Sequence, residues 1–174
     1  MHAFARAALA GLAALALAAP AAAEAKKSDE ELFKLMKIER IGELRLTMKE
    51  AEIKQHLPKA PARSAEKLWG ADGQYHSKWT YSAQGLALGM VAEKKGGAKS
   101  LESIDCSARC TLKTTRGIGI GSTLADVQKA YAAEFNKEDS ELPSVFVAGT
   151  IYGGLILKFK AGKVSAMFLG AAAE

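Results

Sequence analysis

Little in this sequence belongs to a catalyst or a membrane span. Beyond the first 25 residues no apolar run of about 18 residues recurs, so no later segment is expected to cross a bilayer. Histidines number three. His2 lies in the leading segment, and neither His56 nor His76 has a neighbour at ligand spacing. A zinc site needs three or four convergent ligands, so no metal centre is expected. The two cysteines, Cys106 and Cys110, are not spaced C-x-x-C, which argues against a redox motif. A G-x-S-x-G elbow is absent, and no local signature marks a nucleophile. These absences together imply neither a cofactor nor an enzyme.

The leading segment, "MHAFARAALAGLAALALAAPAAAEA", has an early Arg6, an Ala/Leu stretch from Ala7 to Ala19, and then Pro20 and small residues. That pattern is a secretory signal peptide over residues 1–23, cleaved after Ala23 or Ala25. With no cysteine near the cleavage site, a lipid anchor is not expected. The mature chain would be periplasmic or secreted. The formal net charge is +5, carried mostly by lysines spread along the chain. Such a balance permits weak attraction to anionic envelope surfaces, and export excludes nucleic acid as a partner.

The remaining chain repeats itself. "LRLTMKEAEIKQHL" (Leu44–Leu57) lies over "IGIGSTLADVQKAY" (Ile118–Tyr131), matching Leu44 with Ile118, Ala51 with Ala125, Ile53 with Val127 and Leu57 with Tyr131. "WTYSAQGLALGM" (Trp79–Met90) runs beside "AGTIYGGLILKF" (Ala148–Phe159), and Leu101–Ile104 beside Val164–Met167. The offset shrinks at each step, as shorter connections in the second copy would produce. The division is a signal peptide at 1–23, a first unit at 24–108 and a second at 109–174.

The repeat bears on the glycines of "RGIGIGSTLADVQ". Gly117, Gly119 and Gly121 stand opposite Glu43, Arg45 and Thr47. A phosphate cradle requires glycine because backbone amides must approach the anion. If the first copy makes the same turn with Thr47, glycine is not demanded for a ligand. The spacing also fits neither the dinucleotide fingerprint nor the P-loop. Gly119 and Gly121 are expected to serve the turn into a helix.

Periodicity supplies the elements. Thr47-x-x-Glu50 reads as a capping box, echoed by Ser122 or Thr123 with Asp126. Apolar residues at three- and four-residue spacing follow both. A leading helix with its own box, Ser28-x-x-Glu31, covers "SDEELFKLMKIER". Lys78–Met90 and Ser144–Phe159 read as hairpins, with closing strands at Ala98–Ile104 and Lys163–Leu169. The fold class is α+β: a tandem repeat in which one or two helices precede an antiparallel meander that buries one face beneath them.

"LRLTMKEAEI" and "IGIGSTLADV" resemble the I-x-x-G-M-T-x-x-x-V signature of a known group. That signature opens the helix–meander units of β-lactamase inhibitory protein and of the small lipoprotein of the outer-membrane assembly machinery. Gly121 occupies the glycine position; in the first copy Thr47 replaces that glycine and Lys49 the threonine. The resemblance implies the fold, and a protein that binds other proteins rather than transforming substrates. No residue matches a known inhibitory loop.

Candidate site residues cluster in "LWGADGQYHSKWTY" (Leu68–Tyr81), around an Asp72-Gly73 turn signal. Trp69, Tyr75, His76, Lys78, Trp79 and Tyr81 are the candidate binding residues. Strand alternation puts Trp79 and Tyr81 on one face, where rings fill a core, while Trp69 and Tyr75 are candidates for an exposed anchor. The partner expected is an envelope or extracellular protein. The alternative is a small envelope enzyme, or a small-ligand or glycan binder, with Asp72, His76 and Lys78 lining a pocket. The second copy lacks these rings around Ala148–Thr150. Lys158, Lys160 and Lys163 read as the solvated face of an edge hairpin. In an oxidising compartment Cys106 and Cys110 are expected to form a disulfide, which requires Ser107–Arg109 to curl, since an extended run of four residues spans about 13 Å.

Overall fold

The computed structural model describes residues 29–172. The signal-peptide stretch and Ser28 of the first capping box lie outside the described residues. Those described form three α-helices, α1 (Asp29–Ile38), α2 (Glu50–His56) and α3 (Leu124–Ala130), and eight strands. Strands β1 (Ala62–Arg63) and β2 (Lys67–Leu68) are short. Strands β3 (Tyr75–Tyr81), β4 (Leu86–Ala92) and β5 (Ser100–Cys106) form one antiparallel meander; β6 (Val145–Thr150), β7 (Gly153–Lys160) and β8 (Lys163–Gly170) form another. The fold is α+β, as the periodicity implies.

One sheet runs through both meanders in the order β1-β3-β4-β5-β8-β7-β6, with β2 also on β3. The third strands meet in the middle, where Ile104, Asp105 and Cys106 pair with Leu169, Phe168 and Met167. Alternate residues of each strand face the helices. Trp79, Leu88, Ile104, Phe146, Leu157 and Met167 join Ile53 of α2 and Val127 of α3 in a single buried core. Helix α1, part of the first unit by sequence, packs on β6 and β7 of the second meander.

Both helices are entered in the same way. The Thr47 amide donates to the Leu101 carbonyl and the Leu101 amide to that of Met48; the Gly121 amide donates to Val164 and the Val164 amide to Ser122. Thr47 has φ 69° and Gly121 φ 90°, both left-handed. This turn displaces the expected first box. Helix α2 starts at Glu50 with Lys49 before it, and only half of a box forms: Oε2 of Glu52 accepts from the Lys49 amide at 2.8 Å, while the lysine side chain has no acceptor to return the bond. Thr47 is spent on the turn. In α3 the box is Thr123 with Asp126, one of the two expected.

Each meander carries one bulge, between Gly89 and Met90 in the first and between Lys158 and Phe159 in the second. The hairpin registers correct one alignment. Trp79 pairs with Leu88, and the residue pairing with Leu157 is Phe146, not Ala148. The β6–β7 connection is shorter than β3–β4, so Phe146 stands to Leu157 as Trp79 stands to Leu88. Both are 1% exposed.

Cys106 and Cys110 are bridged, with Cα atoms 5.4 Å apart. The curl between them is held by the Cys110 amide on the Ser107 carbonyl and the Ser107 amide on that of Gly85. Gly85 has φ 61°, and a Cβ there would lie 2.8 Å from the Cys110 nitrogen, so this close approach requires glycine.

Candidate functional site

The sheet sorts the six candidate residues by face. On β3, Trp79 and Tyr81 point into the core; Trp79 is 1% exposed and carries the Arg63 guanidinium 4.1 Å above its ring. Tyr75 shares their parity and is half-buried. His76 and Lys78 point to the opposite face, and Trp69 reaches His76 from the loop between β2 and β3. Any contact surface in this segment therefore rests on Trp69 and Lys78, with Trp79 and Tyr81 acting from below as core.

His76 lies within β3 and is enclosed. It is 7% exposed, because β2 pairs beside it and Trp69 covers it. The two rings stack at 3.9 Å between centroids with planes 15° apart, while Trp69 itself stays 40% exposed. Nδ1 of His76 lies 2.9 Å from Oε1 of Glu102, and Nε2 lies 2.9 Å from Oδ2 of Asp72. Carboxylates accept, so the ring satisfies both only when both nitrogens donate, as an imidazolium. Burial alone would lower its pKa, but the bonds from Glu102 and Asp72 outweigh burial and raise it above the ordinary value. Neither nitrogen is left for a metal or for proton abstraction in this arrangement. Among the described residues no group of three His, Cys, Asp or Glu side chains could hold a metal ion.

Further along the same face the sheet forms a groove of about 540 Å³. Its floor crosses the seam between the meanders: Lys78 and Thr80 on β3, Ala87 on β4, Asp105 on β5, Phe168 on β8, Ile156 and Lys158 on β7. Asp105 lies at the centre, paired with Ala87 on one side and Phe168 on the other. Lys78 and Lys158 sit two strands away on either side and two residues out of register, about 12 Å at sheet spacing. Burial raises the Asp105 carboxyl above its ordinary pKa, against the pull of Lys78 and Lys158.

The basic stripe needs correction here. Strand β7 lies between β8 and β6 and is not an edge, so Lys158 borders the groove instead of guarding an edge. The alternative pocket of Asp72, His76 and Lys78 does not form as one unit. Asp72 and His76 bind each other, and of the three only Lys78 lines the groove. Asp105, Ile156, Phe168 and Glu102 were not legible as site residues. Alternation marks Asp105 only as outward-facing, and which outward residues meet across the seam depends on β5 pairing with β8. Glu102 faces His76 because it is the extra residue at the β5 bulge, a break in alternation visible in "SLESIDC".

The glycine-rich stretch is committed internally. The Gly117 amide donates to the Thr114 carbonyl, Ile118 to Thr114 Oγ1, Gly119 to Ser122 Oγ and Gly121 to Val164. Arg116 is held by Glu134 and the Ala130 carbonyl. These amides have no capacity left for a phosphate. Gly117 and Gly121 have positive φ; Gly119, part of the expected turn, does not, and sits instead against Lys113.

No family model, curated protein or solved structure matches the chain. No helix among the described residues is long and apolar enough to cross a membrane. The disulfide is compatible with an oxidising compartment.

Proposed function

We propose that this chain is an exported, non-enzymatic binding module, a duplicated helix–meander unit of the kind its signature resembles, which docks an envelope or extracellular protein on the open face of its joint sheet. Three correspondences support the duplication: the Thr47 and Gly121 turns with identical bonding, the helices at matching positions, and the bulges at Gly89/Met90 and Lys158/Phe159. Export is supported by the leading segment and by the disulfide.

The observation that carries the docking reading is the groove across the β5–β8 seam. It joins apolar floor residues, Ala87, Ile156 and Phe168, to a desolvated carboxylate flanked by two lysines. A groove with apolar walls around one central carboxylate and lysines at its margins offers a partner both burial and charge selectivity. Its charges select a partner surface that presents a cationic or hydrogen-bond-donating group to Asp105 and acids to Lys78 and Lys158. The test is crosslinked capture from envelope extract with the mature chain and with a Lys78→Glu/Lys158→Glu variant. Partner capture that is lost in the variant, with folding intact, supports the reading. Capture of the same proteins by both chains removes it.

A second reading is favoured by the groove volume, which lies in the range of small-molecule sites, roughly 300–1,000 Å³. In that reading the same groove takes a small zwitterionic ligand. Saturable binding of such a compound to the mature chain, lost in Asp105→Asn, would select it.

A further inference from the structure

The loop between β2 and β3, residues 69–74, is folded largely on itself. The Trp69 amide donates to the Gln74 carbonyl, the Gly73 amide to that of Trp69, and the Gln74 amide to Asp72 Oδ1. Strand β2 anchors only its start, pairing Lys67 with His76 and Leu68 with Tyr75. Among the described residues, the side chains that tie the loop to the sheet are Asp72 and Trp69, and both end on His76. We propose that His76 is a proton-operated latch, which holds the 69–74 loop and Trp69 on the sheet while its ring is charged and releases them when it is neutral.

The number of N–H donors on the ring distinguishes the two states. An imidazolium has two N–H groups and can bond Asp72 and Glu102 together; a neutral imidazole has one, and presents a lone pair to the other carboxylate. Losing the proton therefore exchanges one charge-assisted hydrogen bond for a lone-pair contact with a carboxylate oxygen. The groups facing His76 set the direction. Asp72 from the loop and Glu102 from β5 favour the charged ring. Val91, its partner on β4, carries no charge, while Lys67, its direct partner on β2, and Lys78, two residues along β3, are the cations that oppose the charged ring. Glu102 is held by the sheet, whereas Asp72 sits on an exposed loop, so the Asp72 side opens.

The pH window follows from the two shifts. His76 has a raised pKa, so the latch is complete below the ordinary value of 6.5 and is lost as pH rises through the higher folded value. The Asp72 carboxyl is held below its ordinary value by the Gln74 amide and by His76, despite some desolvation. It therefore stays charged until the solution is well into the acid range. The latch is closed between these limits and opens on the alkaline side. Opening uncovers His76 and frees Trp69, the exposed aromatic beside the open sheet face.

The test uses the intact mature chain and needs no partner. Proton NMR follows the His76 ring from about pH 5 to about pH 9. In parallel, acrylamide quenching reads the accessibility of Trp69; Trp79, the other tryptophan, is buried and contributes little. The expected result is a His76 midpoint above 6.5, with Trp69 quenching rising at that same midpoint. Asp72→Asn should lower the midpoint and leave Trp69 accessible at all these pH values; Glu102→Gln, which keeps the Asp72 bond, should lower the midpoint and keep Trp69 covered through it, and it tests the latch if Asp72→Asn does not fold. A midpoint at or below 6.5, quenching that stays flat through the midpoint, or variants that change neither reading would overturn the proposal.

Discussion

The Tyr131 hydroxyl donates to Oε2 of Glu39 at 2.9 Å, joining the residue after α3 to the residue after α1. The other oxygen of the same buried carboxylate accepts from the amides of Thr115, at 2.8 Å, and Arg40, at 2.9 Å. Glu39 is thus a hub that ties the leading helix to the linker between the two meanders. Burial pushes the Tyr131 phenol well above its ordinary pKa, so it remains a donor across the usual tyrosine range.

Tyr131→Phe keeps the ring under the Arg116 guanidinium but removes the donor, leaving Oε2 of Glu39 without that partner. The expected loss is about 1–3 kcal/mol in urea unfolding, the cost of an unsatisfied buried acceptor. A phenol with a raised folded pKa contributes its stability below the unfolded value and loses it only as pH rises through the folded one. The difference between wild type and variant should therefore persist up to pH 10.0, the ordinary tyrosine value. A difference that vanished by pH 9 or so would deny the phenol its donor role.

Thr47 and Gly121 occupy the same left-handed turn with the same hydrogen bonds, yet only one of them is suited to it. A β-branched residue at positive φ is strained, on the order of 1–3 kcal/mol, while glycine adds entropy to the unfolded chain. Thr47→Gly is expected to stabilise by about 1 kcal/mol and Gly121→Thr to destabilise by about 1–2 kcal/mol. Thermal unfolding of the two variants checks both signs. Two shifts of the same sign would show that side-chain contacts, not the backbone, decide these positions.

The physics of legibility divides along the same lines. Helices α2 and α3 and both hairpins were readable because period and capping are local, and a single sequence holds them complete. The start of α2 was misplaced because Thr47-x-x-Glu50 has the form of a box; only the bonds from Thr47 to Leu101 reveal that threonine as a turn residue. Trp79 and Tyr81 were assignable to the core by alternation. His76 was not, since its burial comes from a loop and from a bulge on a strand distant in sequence. The groove was least legible. It exists only where β5 meets β8, and no local pattern announces that pairing.

The Cys106–Cys110 bridge closes a short loop, so its effect on the unfolded chain is small, about 2 kcal/mol by loop-closure entropy. It also fixes the curl that rests on Gly85 at one end of the groove. Paired Cys106→Ala and Cys110→Ala substitutions should lower stability by about that amount, measured as a shift in denaturation midpoint. They should leave the His76 titration unchanged, because His76 stands at the other end of β3. A shift in that titration would mean that the curl and the latch are mechanically joined.

Asp105 tests whether the groove was built for a ligand or merely left over. Its carboxyl is desolvated by burial and raised in pKa, and no hydrogen bond to it is found among the described residues. For an acid with a raised folded pKa, the sign is unfavourable at neutrality: the native state is relatively best below the unfolded value of 3.8 and loses stability as pH rises through the folded value. Asp105→Asn should therefore raise the melting temperature near pH 7 and leave it nearly unchanged near pH 3. Burying an unpaired charge at the centre of an apolar groove is a cost to the free protein that a cationic or hydrogen-bond-donating partner relieves. The same substitution should accordingly weaken partner capture while it stabilises the fold. Opposite signs for stability and capture are what a binding residue produces; a variant less stable at pH 7, or one that captures its partner as well as wild type, would make Asp105 an ordinary residue of the sheet.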